Sequence, residues 1–477
     1  MTYISRRHFL GGTGALSFAA GVGALSSFTA SPAWAANTSG YKAMVCIFLK
    51  GGMDHADTVL PYDQASYDQL SAVRAGLFSS YNSTDPASSR HRDNLLRLNP
   101  LNQADLGGRE YALPQALAPL HTMFEQGDLA ILGDTGPLIE PVTRSQMDAG
   151  TAILPNRLFS HNDQQSTWMS FAAEGQRIGW GGRFMDASLA SAPGVDPQFA
   201  SISAGSNDVF LAGETSRPFR VTSNGVSEPL LLSSRNYIGN TSADNEARAR
   251  IRAFLKSNNL DDGNIFGQDL RRTNSEAQEA IEGYIQAQES AGGLTTEFQS
   301  DSYSRQMEAV ANTIKIQQYL NVPRQMFYVS SGGFDTHNSQ ATALAARHSQ
   351  VAAAISSFRE AMIELGEWNN VLVFTMSDFG RTLIDNGDGT DHGWGGHQFI
   401  AGGAVSGQRI YGTIAGPELE SERYTQSRGR LIPSTSVEQY AATLGQWFGL
   451  TDTELNQALP NLANFDARNI GFLGAQV

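Results

Sequence analysis

The stretch that decides the fold is AMVCIFLKGGMDH, Ala43 to His55. An unbroken apolar run, AMVCIFL, ends at Lys50, two glycines, Met53 and a carboxylate. Such a run, bounded by turn residues, reads as a strand buried on both faces. The pattern recurs. Leu129–Leu132 runs into GDTG, Gln325–Val329 into SSGGFDTH, and Val371–Met376 into SDFGRT. A shorter run, Gln398–Ala401, follows His397. Between these lie patterns with helical spacing: Leu113–Gln126, Asn274–Ser290, Ser302–Leu320, Ala341–Leu365 and Ser436–Phe448, the last with a Glu three residues past Thr435 as a capping signal. Strand and helix in alternation predict an α/β fold with a mostly parallel central sheet and helices on both faces. Residues from about 179 to 264 are rich in Ser, Gly, Asn and Pro with short β-like pieces, and read as a β/loop-rich insertion in a single domain spanning 36–477.

Composition narrows the function. The 477 residues are 41% hydrophobic and 17% charged, an ordinary globular mix. The formal net charge of −14 argues against a nucleic-acid partner, because a phosphate backbone needs a basic face. An anionic substrate would need local cations to attract it. The one cysteine, Cys46, lies in the apolar run, cannot form an internal disulfide and reads as a small buried hydrophobe. The N-terminus carries Ser5-Arg6-Arg7-His8-Phe9-Leu10, a mildly apolar Gly/Ala stretch, and Ala33-Trp34-Ala35 as a cleavage site. That is the pattern of a twin-arginine signal peptide over residues 1–35. The expected partner in export is the twin-arginine translocase, and the expected destination is the periplasm or the medium. Cleavage removes Arg6 and Arg7 and no acid, taking the charge from −14 to −16. No later stretch is long and apolar enough to span a membrane.

Ligands in open α/β sheets bind where strands end at their carboxyl edge. Asp54 follows the first run, Asp335 and His337 another, Asp378 and Arg381 a third. GTDHGWGGHQFIAGG, Gly389 to Gly403, then supplies Asp391, His392 and His397. Carboxylates and imidazoles at one edge are what a transition-metal site requires. Each also has a plain reading: Asp54 as a loop carboxylate, Asp335 or Thr336 as a helix cap, Asp378 as a turn cap, Arg381 as half of a surface ion pair, and DHGWGGH as a loose loop. The nucleophile candidate lies in LFSHNDQQSTW, where Ser160 precedes His161 and Asp163 follows at the third position. This stretch also reads as a helix N-terminus, and the two readings are compatible.

The ordered set of twin-arginine leader, FLKGGMD, LFSHNDQQ, GGFDTH, SDFGRT and TDHGWGGH resembles the secreted bacterial domain-of-unknown-function family fifteen-oh-one. That family is similar to the alkaline phosphatase and sulfatase superfamily. The resemblance implies an alkaline-phosphatase-like fold, one or two divalent metal ions and hydrolysis of a phosphate or sulfate ester, with polysaccharide esters among the candidate substrates. Carried over by position, Asp54, Asp335, His337, Asp378 and His397 would be metal ligands and Ser160 the nucleophile. Phe379 follows Asp378 where the superfamily commonly has His, so either His392 supplies that imidazole or Asp391-His392 forms the pair. Ser160, His161 and Arg381 are the expected catalytic residues, with Arg381 clamping the non-bridging oxygens. Zinc is the first expectation for the ion, with manganese, iron or calcium as alternatives. The rival expectation is a catalytically inactive secreted binding or surface-assembly protein of the same fold. A single-metal lyase or esterase acting on polysaccharide is a third.

Overall fold

The computed structural model describes residues 35–84, 89–195, 197–206, 208–226, 241–257 and 265–474. The signal-peptide expectation therefore falls almost wholly outside the described residues, as do parts of the 179–264 stretch.

Among the described residues, fourteen strands follow in chain order: β1 (Lys42–Leu49), β2 (Leu60–Pro61), β3 (Leu96–Arg97), β4 (Tyr111–Leu113), β5 (Leu129–Gly136), β6 (Ser201–Ser203), β7 (Phe219–Arg220), β8 (Arg324–Ser331), β9 (Val371–Ser377), β10 (Arg381–Asp385), β11 (Thr390–His392), β12 (Gly396–Ala401), β13 (Ile410–Tyr411) and β14 (Thr435–Ser436). The main sheet has the order β13-β5-β12-β9-β1-β8-β6-β7, with β14 beside the end of β5. The AMVCIFL strand sits in its interior, paired in parallel with β8 on one side and β9 on the other. Strand β12 alone runs against its neighbours β5 and β9. Residues 43–49, 129–136 and 371–377 are buried without a break. Side chains alternate between the two faces of a strand, so unbroken burial means that both faces are covered.

Long helices supply that cover. Ser302–Lys315 and Gln340–Glu364 pack on each other, and Trp180–Ala190 packs near Val437–Phe448, where Gly445 leaves room for the Phe184 ring. The described part of the 179–264 stretch contributes helices Trp180–Ala190 and Ser242–Lys256, and strands β6 and β7 at one end of the main sheet, with β7 at its edge.

Three boundaries differ from expectation. The helix expected from Leu113 starts at Ala118, because Tyr111–Leu113 is taken as β4 between β2 and β3. The last long helix is capped by Ser436 with Gln439, not by Thr435 with Glu438, because Thr435 is extended and paired with Thr135. The segment read as a glycine loop is partly a hairpin: β10 and β11 pair antiparallel, with Arg381 opposite His392. That register, not local sequence, delivers His392 to the edge of the sheet.

Candidate metal centre

Three elements converge beyond the carboxyl ends of β1, β8 and β9. Helix His161–Ser170 brings His161, the turn after β8 brings Asp335 and His337, and β11 brings His392. Gly51 makes the approach possible. Its φ is +118°, and a Cβ there would collide with the backbone nitrogen of Asp335.

Each of the three histidines has its Nδ1 tied down. His161 Nδ1 lies 2.6 Å from Asp378 Oδ2, His337 Nδ1 3.3 Å from Asp391 Oδ1, and His392 Nδ1 2.8 Å from the Phe159 carbonyl oxygen. These partners accept only, so they assign the hydrogen to Nδ1 and leave the lone pair on Nε2. The three Nε2 atoms gather round one carboxylate. His337 and His392 stand 3.2 and 3.4 Å from Asp335 Oδ1, and His161 stands 3.4 Å from Asp335 Oδ2. His337 Nε2 and His392 Nε2 are 2.9 Å apart. Two lone pairs at that distance repel unless a proton or a cation lies between them. Buried His161 Nε2 makes no hydrogen bond. Donors around a tetrahedral ion with bonds of about 2.0–2.1 Å stand roughly 3.3 Å apart, close to the 3.2–3.4 Å between each Nε2 and its Asp335 oxygen. The ligand atoms of His161, Asp335 and His392 all lie within 4.8 Å of one another. The donor chemistry fits a borderline transition ion such as zinc, manganese or iron. Calcium, which takes oxygen ligands, fits an imidazole-rich set poorly.

The surroundings tune these groups. The hydrogen bond to Asp378 raises the His161 pKa above the ordinary imidazole value. Burial lowers that of His392. Burial alone would raise Asp335, but Arg381 and the facing histidines hold it below the usual carboxylate range. The Phe379 ring stacks 4.8 Å from His161 and 4.7 Å from His392, walling one side of the cluster.

The other expected residues have different surroundings. Asp54 is fully buried, with both oxygens on Arg74 (2.7 and 2.9 Å) and one also taking the Gln340 amide at 2.6 Å. Asp378 stands behind His161 and also accepts from Gln165. Asp391 stands behind His337 and pairs with Arg428 at 2.8 Å. His397 is buried edge-on to His55 with ring centroids 5.3 Å apart, and its Nδ1 accepts from the Asp134 backbone N–H at 3.2 Å. Burial keeps His397 far below its ordinary pKa, which leaves it neutral. Arg381 is enclosed: Nη1 donates to Asp335 at 2.8 Å and to the Gly51 carbonyl, while Nη2 donates to the Thr390 carbonyl. Ser160 is the N-cap of the 161–170 helix, and its hydroxyl donates to Asp163 Oδ2 at 2.8 Å. Sequence reasoning placed His161 with the catalytic residues and not with the candidate metal ligands, whereas the structure brings it to Asp335 and His392. A usable signal existed: His161 and Gln165 are one helical turn apart and both meet Asp378.

Side chains thus define an α/β protein with a three-histidine, one-aspartate cluster at the carboxyl edge of its main sheet. The chain belongs to the family described as "Protein of unknown function (DUF1501)", whose model matches residues 41–459. No curated protein matches the sequence. Among solved structures, Ps i-CgsB in complex with k-i-k-neocarrahexaose is similar at 10% identity and a TM-score of 0.32, covering 88% of this chain and 74% of that one. The PsFucS1 sulfatase from Pseudoalteromonas sp. is similar at 8% identity and 0.33, covering 87% and 68%. BT1596, a 2-O GAG sulfatase, is similar at 11% identity and 0.28, covering 86% and 71%. Likeness at such TM-scores says nothing about chemistry, which must come from this chain's own side chains.

Proposed function

We propose that the protein is an exported hydrolase of phosphate or sulfate esters, with one divalent transition-metal ion held by His161, Asp335, His337 and His392. The observation that carries this reading is the convergence of three Nε2 lone pairs on one carboxylate, each imidazole oriented by its own acceptor at Nδ1. Carboxylate- or carbonyl-backed histidine is the arrangement that fixes ring orientation and raises ligand basicity at metal centres. When bound, the ion would act as a Lewis acid toward an ester oxygen. Asp378 and Asp391 keep their histidines in the ligating tautomer, and Arg381 holds Asp335 in place. Ser160, one residue before His161, is the nucleophile in this reading. Its hydroxyl hydrogen already points at the Asp163 carboxylate, which is placed to accept the proton.

Elemental analysis of natively exported protein tests the centre. About one equivalent of a transition metal is expected, and less than about half an equivalent with no ester hydrolysis would sink the reading. Ser160→Ala should abolish turnover and leave the metal in place. The second reading, a binding protein of the same fold, is favoured by the engagement of Ser160 in an ordinary N-terminal bond to Asp163. Metal retained with no turnover on any sulfated or phosphorylated ester would select it.

A further inference from the structure

We infer that Arg430 is the residue that grips the oxyanion of the substrate, a side chain that neither the sequence motifs nor the family match singles out. The inference rests on the ester-hydrolase reading and names the part of the chain that would recognise the tetrahedral anionic group.

Three contacts fix Arg430 beside the cluster. Its Nε donates to the His392 carbonyl oxygen at 2.9 Å. Its guanidinium carbon stands 4.2 Å from the centre of the Phe159 ring. The Phe159 carbonyl in turn accepts from His392 Nδ1 at 2.8 Å, closing a triangle of Phe159, His392 and Arg430. Phe159 holds this place with φ at +73°, a left-handed conformation that an aromatic residue seldom adopts and that needs a reason. The carbonyl on His392 and the ring under Arg430 supply one. The backbone of Arg430 is tied as well, exchanging hydrogen bonds with Thr425.

The triangle uses Nε and the ring face only. Among the described residues, Nη1 and Nη2 have no hydrogen-bond or ion-pair partner. Neighbouring arginines differ. Arg381 is enclosed with both Nη atoms engaged, and Arg428 Nη1 is paired with Asp391. Arg157 pairs with Asp163, and Arg347 Nη1 is on Gln350. Arg430 therefore stands one residue contact from a metal-type ligand with a rigid, half-buried fork of unused N–H donors. Such a fork matches two oxygens of a phosphate or sulfate group. In a chain of net charge −14, it supplies a local positive charge for an anionic group.

Titration calorimetry with inorganic phosphate and inorganic sulfate tests the assignment, on full-length mature protein both as isolated and after zinc loading. Arg430→Met should weaken binding of the preferred anion about tenfold or more, and Arg430→Lys should give an intermediate loss because charge is kept and the fork is not. Metal content should stay at the wild-type value in both variants. Wild-type affinity in Arg430→Met would overturn the inference. So would an absence of binding of either anion to wild-type protein up to about 10 mM. Loss of metal together with anion affinity in both variants would make Arg430 a prop for His392 and equally overturn it. The ester-hydrolase reading fails separately, on wild-type protein that holds no metal and hydrolyses no ester.

Discussion

Two clusters of like residues sit side by side beyond the carboxyl edge of the sheet, and they use their polar atoms in opposite ways. In one, Asp54 and Asp57 face Arg74, Arg90, Tyr81 and Gln340, all nearly or wholly excluded from solvent. Arg74 also donates to the Thr382 and Leu383 carbonyls, each at 2.8 Å. Every carboxylate oxygen there meets a donor, so the network has nothing left for a ligand. In the other, Asp335 is about half exposed and three imidazole Nε2 atoms stand within 3.4 Å of its oxygens. A carboxylate after a strand is thus either scaffold or site. What separates the two is whether donors of the chain meet every carboxylate oxygen: Asp335 Oδ1 takes Arg381 Nη1, whereas Oδ2 faces only the His161 Nε2 at 3.4 Å among the described residues.

The comparison can be broken by mutation. The largest effect expected is on the scaffold. Asp54→Ala leaves the Arg74 guanidinium buried and unpaired, and should cost about 3–5 kcal/mol of stability in urea unfolding. His392→Ala, on the half-exposed side, should cost less than about 1 kcal/mol, because surface charges and ring contacts are worth little. If the two stability losses came out equal, the distinction between the clusters would collapse.

Next comes activity. His161→Ala or Asp335→Asn, which keeps an acceptor for the buried Arg381, should lower ester turnover on the order of a hundredfold or more, with loss of bound metal. Normal turnover in both would remove the cluster from the chemistry. A smaller effect is expected one layer out. Asp378→Asn keeps shape but no longer fixes the His161 tautomer, and should weaken metal affinity about 10–100-fold in a chelator competition. An unchanged affinity would demote the Asp378–His161 pair to packing.

A further effect concerns pH. Burial lowers the pKa of His55 to about 4 and that of His348 to about 3, against an ordinary value of 6.5. Both stay neutral in the fold while the unfolded chain takes up protons first. Acid therefore favours unfolding, and stability should fall as pH drops from 6.5 towards 4, by up to about 1.4 kcal/mol per pH unit for each histidine. His55 makes no hydrogen bond through either ring nitrogen, so His55→Phe should flatten the slope by about one proton. An identical slope in the variant would show that His55 titrates normally in the fold.

Much of this was legible in the chain. The AMVCIFL, LAIL, QMFYV and VLVFTM runs each became an interior strand, because an unbroken apolar run can be buried only on both faces. The placement of Asp54, Asp335, His337 and Asp378 just after those strands followed from the same runs. Roles within that edge were not legible. Asp54 and Asp335 have the same local setting, a glycine-rich turn after a strand. Arg74 reaches Asp54 from 20 residues away, while His161, more than 170 residues earlier, reaches Asp335. Long-range partners leave no local pattern. His397 misled for a related reason: its neighbours Gly395 and Gly396 suggested a ligand loop, but β12 pairs with β5 and turns the ring onto His55 and Asp134.

By itself, then, the sequence determined the layered α/β architecture and the edge at which chemistry could sit, because hydrophobic period and turn residues are local properties. Only the tertiary structure decided which acids are neutralised, which imidazoles converge and how each arginine uses its donors. Those outcomes depend on side chains from distant segments competing for the same few polar atoms, and that competition is settled only when the chain has folded.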